Sequence, residues 1–152
     1  MAAHGEAAAV LGVKVRQIRG LVEQNVLRAA AEYRFGLSKL LPAADVQRFA
    51  ELHVATSVLA KRFRLNSGAF ARYLRESGTP LLVVPLSDRG KGHAFFLRKD
   101  VAAQIQIPSP RMLREHAQRR IVTARKQHWA EYRQARETAL DKPMRRVRVK
   151  HR

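Results

Sequence analysis

Two places along this 152-residue chain bring together side chains that could do chemistry. His116, Arg119 and Tyr132 form a His-x-x-Arg with a tyrosine downstream, groups that can carry a phosphoryl group through a tyrosine ester in strand-transfer chemistry. That chemistry needs another arginine held by the same fold and a larger domain, and here the histidine falls on a long helical pattern, so no catalysis is read from it. Arg89-Gly90-Lys91-Gly92-His93 is the second place. A nucleotide phosphate loop needs Gly-Lys followed by Ser or Thr at the opening of a helix, whereas Gly-His and a strand pattern follow here. Glycines between cations suit a hairpin tip that grips phosphate or a minor groove, or else a plain solvated tip. The six histidines show no paired ligand spacing, His53 reads as core or solvent, and no carboxylate cluster suits a two-metal nuclease. With no cysteine, thiol catalysis, disulfides and zinc knuckles are excluded. The expectation is a non-enzyme without cofactor, metal or small-molecule substrate.

The elements that must position the remaining polar groups follow from the apolar pattern. The run Leu11-Gly12-Val13 to Leu21-Val22 reappears 52 positions later as Phe63-Arg64-Leu65 to Tyr73-Leu74, with Ile18 matching Phe70 and Leu21 matching Tyr73. Leu41 to Val46 then corresponds to Phe96 to Val101 at an offset of 55, as a longer loop in the second copy requires. Two matches in the same order favour duplication. Each copy reads as a short helix, a turn, a second helix, a small hairpin and a third helix. Ala7, Ala8 and Leu11 form one apolar face, Gly12 ends that helix left-handed, and Ile18, Leu21 and Val22 supply the next face. In the second copy Val58, Leu59 and Phe63 precede the turn, Asn66 or Ser67 caps the next helix, and Gly78-Thr79-Pro80 stops it. Leu81 to Leu86 and Ala94 to Leu97 read as strands joined by the turn 87–93. The first copy's hairpin runs from Val26 to Leu41 around Arg34-Phe35-Gly36, and a short helix around Asp45 to Val54 joins the copies. The expected fold is mainly α with small β-hairpin wings: two helix-turn-helix units at 1–54 and 55–107, a long basic helix at 108–140 and a disordered basic arm at 141–152.

A family resemblance rests on these segments. Residues 8–27, AAVLGVKVRQIRGLVEQNVL, resemble the opening of a MerR- or excisionase-type winged helix, and Phe96-Leu97-Arg98-Lys99-Asp100-Val101 is similar to that family's closing strand and helix. Tandem units of this kind also resemble the C-terminal region of TniQ-type transposon-targeting proteins. The resemblance covers about residues 5–107. The cysteine-rich N-terminal region of the TniQ family is missing, and no MerR-type effector domain is evident. What the resemblance implies is binding of double-stranded DNA with the second helix of each unit in the major groove. Lys14, Arg16, Gln17 and Arg19 are then the readers in the first unit, since Arg and Gln pair bidentately with guanine and adenine edges. Asn66, Ser67, Arg72 and Arg75 occupy similar places in the second, where Gly68 and Ala69 leave a smaller surface. Arg34 belongs to the first hairpin, and Arg89, Lys91 and His93 to the second. Any one of these is also what a solvated helix face or hairpin tip contains.

Charge points the same way. Thirty Lys plus Arg against twelve Asp plus Glu leave +18, and more than half of that excess lies beyond residue 107. Such a surface attracts polyanions. After Pro108-Ser109-Pro110 a stretch from Arg111 to about Thr138 has neither Gly nor Pro and predicts one long helix. Leu113, Ala117, Ile121, Ala124, His128, Tyr132, Ala135 and Ala139 form a thin apolar stripe along it, suited to docking on the winged units, a second copy or another protein. Trp129 sits beside the stripe. Arg145, Arg146, Arg148 and Lys150 make a basic arm unable to build a core. No apolar run is long enough to cross a membrane and no secretory leader is legible, so a cytoplasmic, nucleoid-associated protein is expected. Its role would be target-site recognition in a mobile element, phage or transcription-regulatory system, with a transposase, recombinase or second copy as partner. An RNA-binding or ribosome-associated basic protein and a protein-interaction adaptor are the rival readings. The charge distribution makes a prediction. Removing 143–152 should weaken duplex binding equally for all sequences and flatten its salt dependence, because the arm offers cations and few base readers. Loss of discrimination between sites at an unchanged salt slope would contradict it.

Overall fold

The computed structural model describes residues 1–29, 40–86 and 92–140. It is mainly helical with a small three-stranded antiparallel sheet. Helix α1 (His4–Leu11) starts where the Ala3 N–H donates to Glu6 Oε2 at 2.8 Å, and it ends at Gly12 with φ 65°. Helix α2 (Val15–Glu23) starts the same way, the Lys14 N–H donating to Gln17 Oε1 at 2.8 Å. Helix α3 (Ala43–Leu52) runs directly into strand β1 (His53–Ala55), and β1 into helix α4 (Thr56–Arg62). Asn66 caps helix α5 (Ser67–Glu76) by accepting from the Ala69 N–H at 2.9 Å. Strands β2 (Leu82–Pro85) and β3 (His93–Arg98) follow, then the single turn α6 (Lys99–Ala102) and the long α7 (Pro110–Leu140). Among the described residues no helix is long and apolar enough to cross a membrane.

The two helix pairs match at the turn and at the first buried anchor of the second helix. Gly12 and Arg64, 52 positions apart, both adopt the left-handed conformation, at φ 65° and 54°. Behind each, the same backbone bond closes the turn: Val13 N–H to Ala8 O at 2.9 Å, and Leu65 N–H to Ala60 O at 2.8 Å. Ile18 and Phe70, the matched anchors of α2 and α5, are both completely buried. Glycine takes this conformation without cost, while Arg64 must hold it against its own Cβ.

The sheet has the order β1-β3-β2, with Ala55 and Leu82 opposite Phe96 on either side. Strand β1 departs from the sequence reading, which carries the connecting helix through Val54. Three residues are too short to show alternation, and His53 to Ala55 become a strand because β3 offers them an edge. The expected boundary between residues 54 and 55 thus falls inside a strand. The expected first hairpin lies largely in 30–39, outside the described residues. On its flanks, residues 24–29 are turn and irregular chain, and Leu41 pairs with Ala2 through bonds of 2.7 and 2.9 Å.

Residues Met1–Leu113 form one compact unit, and Arg114–Arg152 a second. Within the first, one apolar cluster joins Ala7, Ala8, Ile18 and Leu21 of the N-terminal pair to Val46 and Phe49 of α3 and to Val84, Ala94 and Phe96 of the sheet. A second cluster gathers Ala60, Phe70 and Leu74 of the other pair with Leu113, backed by Ile105 and Ile107. The N-terminal pair therefore has no closed core of its own. In the second unit the helix continues, and every residue from Gln118 to Ala139 is exposed, the stripe residues Ile121 and Tyr132 included.

The seam between α2 and the sheet is made at Gly20. A Cβ there would lie 2.6 Å from Val84 Cγ1 and 2.7 Å from the Pro85 carbonyl oxygen. In an isolated helix Gly to Ala gains about 1 kcal/mol. Here overpacking against backbone should outweigh that gain, and Gly20→Ala should destabilise the fold by about 1–3 kcal/mol in chemical denaturation. Unchanged or increased stability would show that α2 does not seat on β2 in this way.

Candidate nucleic-acid interface

One side of α5 from Ser67 to Arg75, the start of α4, one residue of α2 and the start of β3 line an open groove of about 460 Å³. Asn66 fixes where α5 begins, which places Ser67 and Gly68 at the groove's edge and Ala71, Arg72 and Arg75 along its wall. The apolar side of α5 is held by Phe70 and Leu74, so Arg72 and Arg75 emerge on the exposed side. Thr56 and Ser57 come from the first turn of α4, directly after β1. Gly92, His93, Ala94 and Phe95 close the groove from the sheet side, Gly92 at φ 86°. Among the described residues the lining holds two guanidinium groups and no carboxylate, together with hydroxyls and the positively polarised start of α5. Such a lining is chemically suited to anions, phosphate above all.

Of the residues singled out in the sequence, the groove brings together Gln17, Ser67, Arg72, Arg75 and His93. Lys14, Arg16 and Arg19 are exposed on or beside α2 but do not line it. Gln17 is half-buried and its amide oxygen is engaged in starting α2, which leaves its amide nitrogen as the available donor. Asn66 likewise spends its oxygen on a cap. Arg34, Arg89, Lys91, Arg145, Arg146, Arg148 and Lys150 lie outside the described residues. Thr56, Ser57 and Phe95 line the groove and were not legible beforehand, because nothing in their local spacing announces β1 or the approach of α4 to β3.

Two ionisable groups near the sheet depart from their ordinary range. His53, stacked on Phe49 at 4.4 Å, has its pKa lowered, first by burial and also by the nearby Arg98. Asp100 is lowered by the Val101 N–H it accepts and by Arg98, whose guanidinium grips it at 2.8 and 3.1 Å. That pairing takes Arg98 out of the pool of cations open to a polyanion. Among the described residues no cluster of His, Asp and Glu could hold a metal ion.

No family model matches the chain, and no curated protein or solved structure matches it either.

The double use of Gln17 separates folding from contact. Gln17→Ala should lower stability by about 1 kcal/mol through loss of its bond to the Lys14 N–H, whereas Gln17→Glu should retain it. Arg16→Ala, fully on the surface, should stay within about 0.5 kcal/mol of the parent. Denaturation of the free protein checks all three, and an Arg16→Ala loss as large as that of Gln17→Ala would reverse the assignment.

Proposed function

We propose that this chain binds double-stranded DNA, with α5 as its groove-entering helix, the β2–β3 hairpin as a wing and the α1–α2 pair as a second, fused helix-turn-helix. The observation that carries this reading is the groove, free of acidic side chains among the described residues, in which Arg72 and Arg75 of α5 meet Gln17 of α2 and His93 at the base of the hairpin. The order α3, β1, α4, α5, β2, β3 is that of a winged helix: a leading helix and short strand, two helices across a tight turn, then a hairpin pairing back onto the first strand. On this reading the winged unit begins at α3, about a dozen residues before the boundary drawn from sequence. The MerR-like resemblance of residues 8–27 and 96–101 supports the same assignment.

The chemistry divides by position. Arg72 and Arg75 can pair bidentately with guanine or with phosphate, and Ser67 with the small Gly68 lets the start of α5 approach the backbone closely. Arg16 and Arg19 stand on the separate exposed face of α2, so the two helices would read neighbouring stretches of one duplex. The net charge of +18 supplies the sequence-independent attraction. Target-site recognition in a mobile element, phage or regulatory system is the role proposed, with a recombinase, a transposase or a second copy as partner.

Anisotropy titrations of duplex DNA, single strands and RNA at matched salt test the reading. Duplex should bind best, and Arg72→Glu with Arg75→Glu should reduce duplex affinity by roughly tenfold or more and shrink the salt slope by about one unit per lost phosphate contact. If both reversals leave affinity and slope untouched, α5 is not the DNA-reading helix.

A further inference from the structure

Helix α7 carries a second surface that the groove does not use. Val122, Arg125, Trp129, Arg133 and Arg136 recur at spacings of three and four, which puts them on one side of the helix, with Lys126 beside them. That side is distinct from the thin stripe through Ile121 and Tyr132. Trp129 is 60% exposed, unusually open for the residue that gains most from burial. Its aromatic neighbours, Tyr132 at 5.9 Å and 85° and His128 at 6.3 Å and 63°, meet it edgewise, so no parallel ring occupies the stacking position. Val122, Arg125, Lys126, Trp129 and Arg133 line a shallow hollow with no carboxylate among them. The Arg133 Nε donates to the Trp129 carbonyl at 3.4 Å, which leaves its two terminal amino groups as further donors.

We propose that this face of α7 binds single-stranded nucleic acid, with Trp129 stacking on an unpaired base and Arg125, Lys126 and Arg133 taking the flanking phosphates. Arg125 and Arg133 lie one turn to either side of Trp129, each about 6 Å along the axis. An exposed ring bracketed by cations is the pairing that single-strand binding requires, an electrostatic track with a stacking platform. A duplex gives an exposed tryptophan little to stack on, because its bases are shut between neighbours and only sugar and phosphate face outward. A membrane-surface helix would separate its aromatic face from its cations, whereas here they share one side. A second copy of this helix would bring like charges together.

Trp129 is the chain's single tryptophan, so its fluorescence reports on the site directly. The full chain is titrated with a short oligothymidylate, a duplex of equal length and anionic phosphatidylserine vesicles. The single strand should quench Trp129 at concentrations where duplex and vesicles leave it unchanged. In anisotropy titrations Trp129→Ala, and separately Arg125→Glu with Arg133→Glu, should weaken oligothymidylate binding about tenfold, while Trp129→Phe retains most of it. The groove variant Arg72→Glu with Arg75→Glu should leave the quenching intact, which keeps the outcome separate from that for the groove. Helical circular dichroism confirms that the variants fold. Quenching by duplex or vesicles in preference to the single strand, or unchanged oligothymidylate affinity for Trp129→Ala, would overturn the proposal.

Discussion

The close seat of α2 on strand β2 at Gly20 is the constraint on which the architecture of residues 1–113 turns. Without a side chain at that position the helix backbone comes within van der Waals reach of Val84 and the Pro85 carbonyl. Ile18 and Leu21, on the same buried arc, can then join Val84, Ala94 and Phe96 in one apolar cluster. Two helix pairs that look autonomous in sequence thereby become one body. A short pair of helices has too little apolar surface to fold alone, and the sheet supplies what the N-terminal pair lacks. The same contact brings Gln17 to the groove lined by α5, because the residue that starts α2 sits one turn before the glycine that seats it.

Much of this was legible in the sequence, for identifiable reasons. Gly12, Asn66 and Gly78 act through local backbone chemistry, so the ends they set lie where their types imply. The 52-residue offset survives into three dimensions down to the left-handed residue and the bond that closes each turn. Strand β1 was not legible, since His53-Val54-Ala55 carries no alternation and is extended only because β3 pairs with it. Gly20 gave no signal either: an isolated glycine in a helical run does not say which strand will cross it. The site divides in the same way. Arg72 and Arg75 follow from helical spacing, whereas Thr56, Ser57 and Phe95 reach the groove through tertiary contact alone.

The two matched helices are not equivalent in what they present. Arg16 and Arg19 give α2 the denser charge, but Gln17, its best adenine reader by type, is held by its own helix start. Helix α5 has fewer side chains able to read bases and a smaller leading edge at Ser67 and Gly68. Its arginines share a groove with the hairpin, which α2's do not. The matched pairs differ in this way because the sheet has one hairpin, and of the arginines on the two helices only those of α5 line the groove beside it. The pair that lies across β2 gives up part of its surface to that packing, and the other leaves Arg72 and Arg75 exposed along the groove.

That asymmetry bears on the charge of the whole chain. Arg98 is paired with Asp100 at the end of the sheet, and His53 is pushed toward its neutral form by burial, so neither adds a free cation there. Among the exposed cations of that unit, Arg16 and Arg19 of α2 and Arg72 and Arg75 of α5 stand on helices whose buried faces fix their direction. A polyanion approaching a surface so arranged would be drawn by the total charge and oriented by the guanidiniums whose helices are fixed. On the proposed reading, affinity and register would come from different residues, the first from sheer number and the second from the apolar anchors Ile18, Phe70 and Leu74 that lock the helices beneath them.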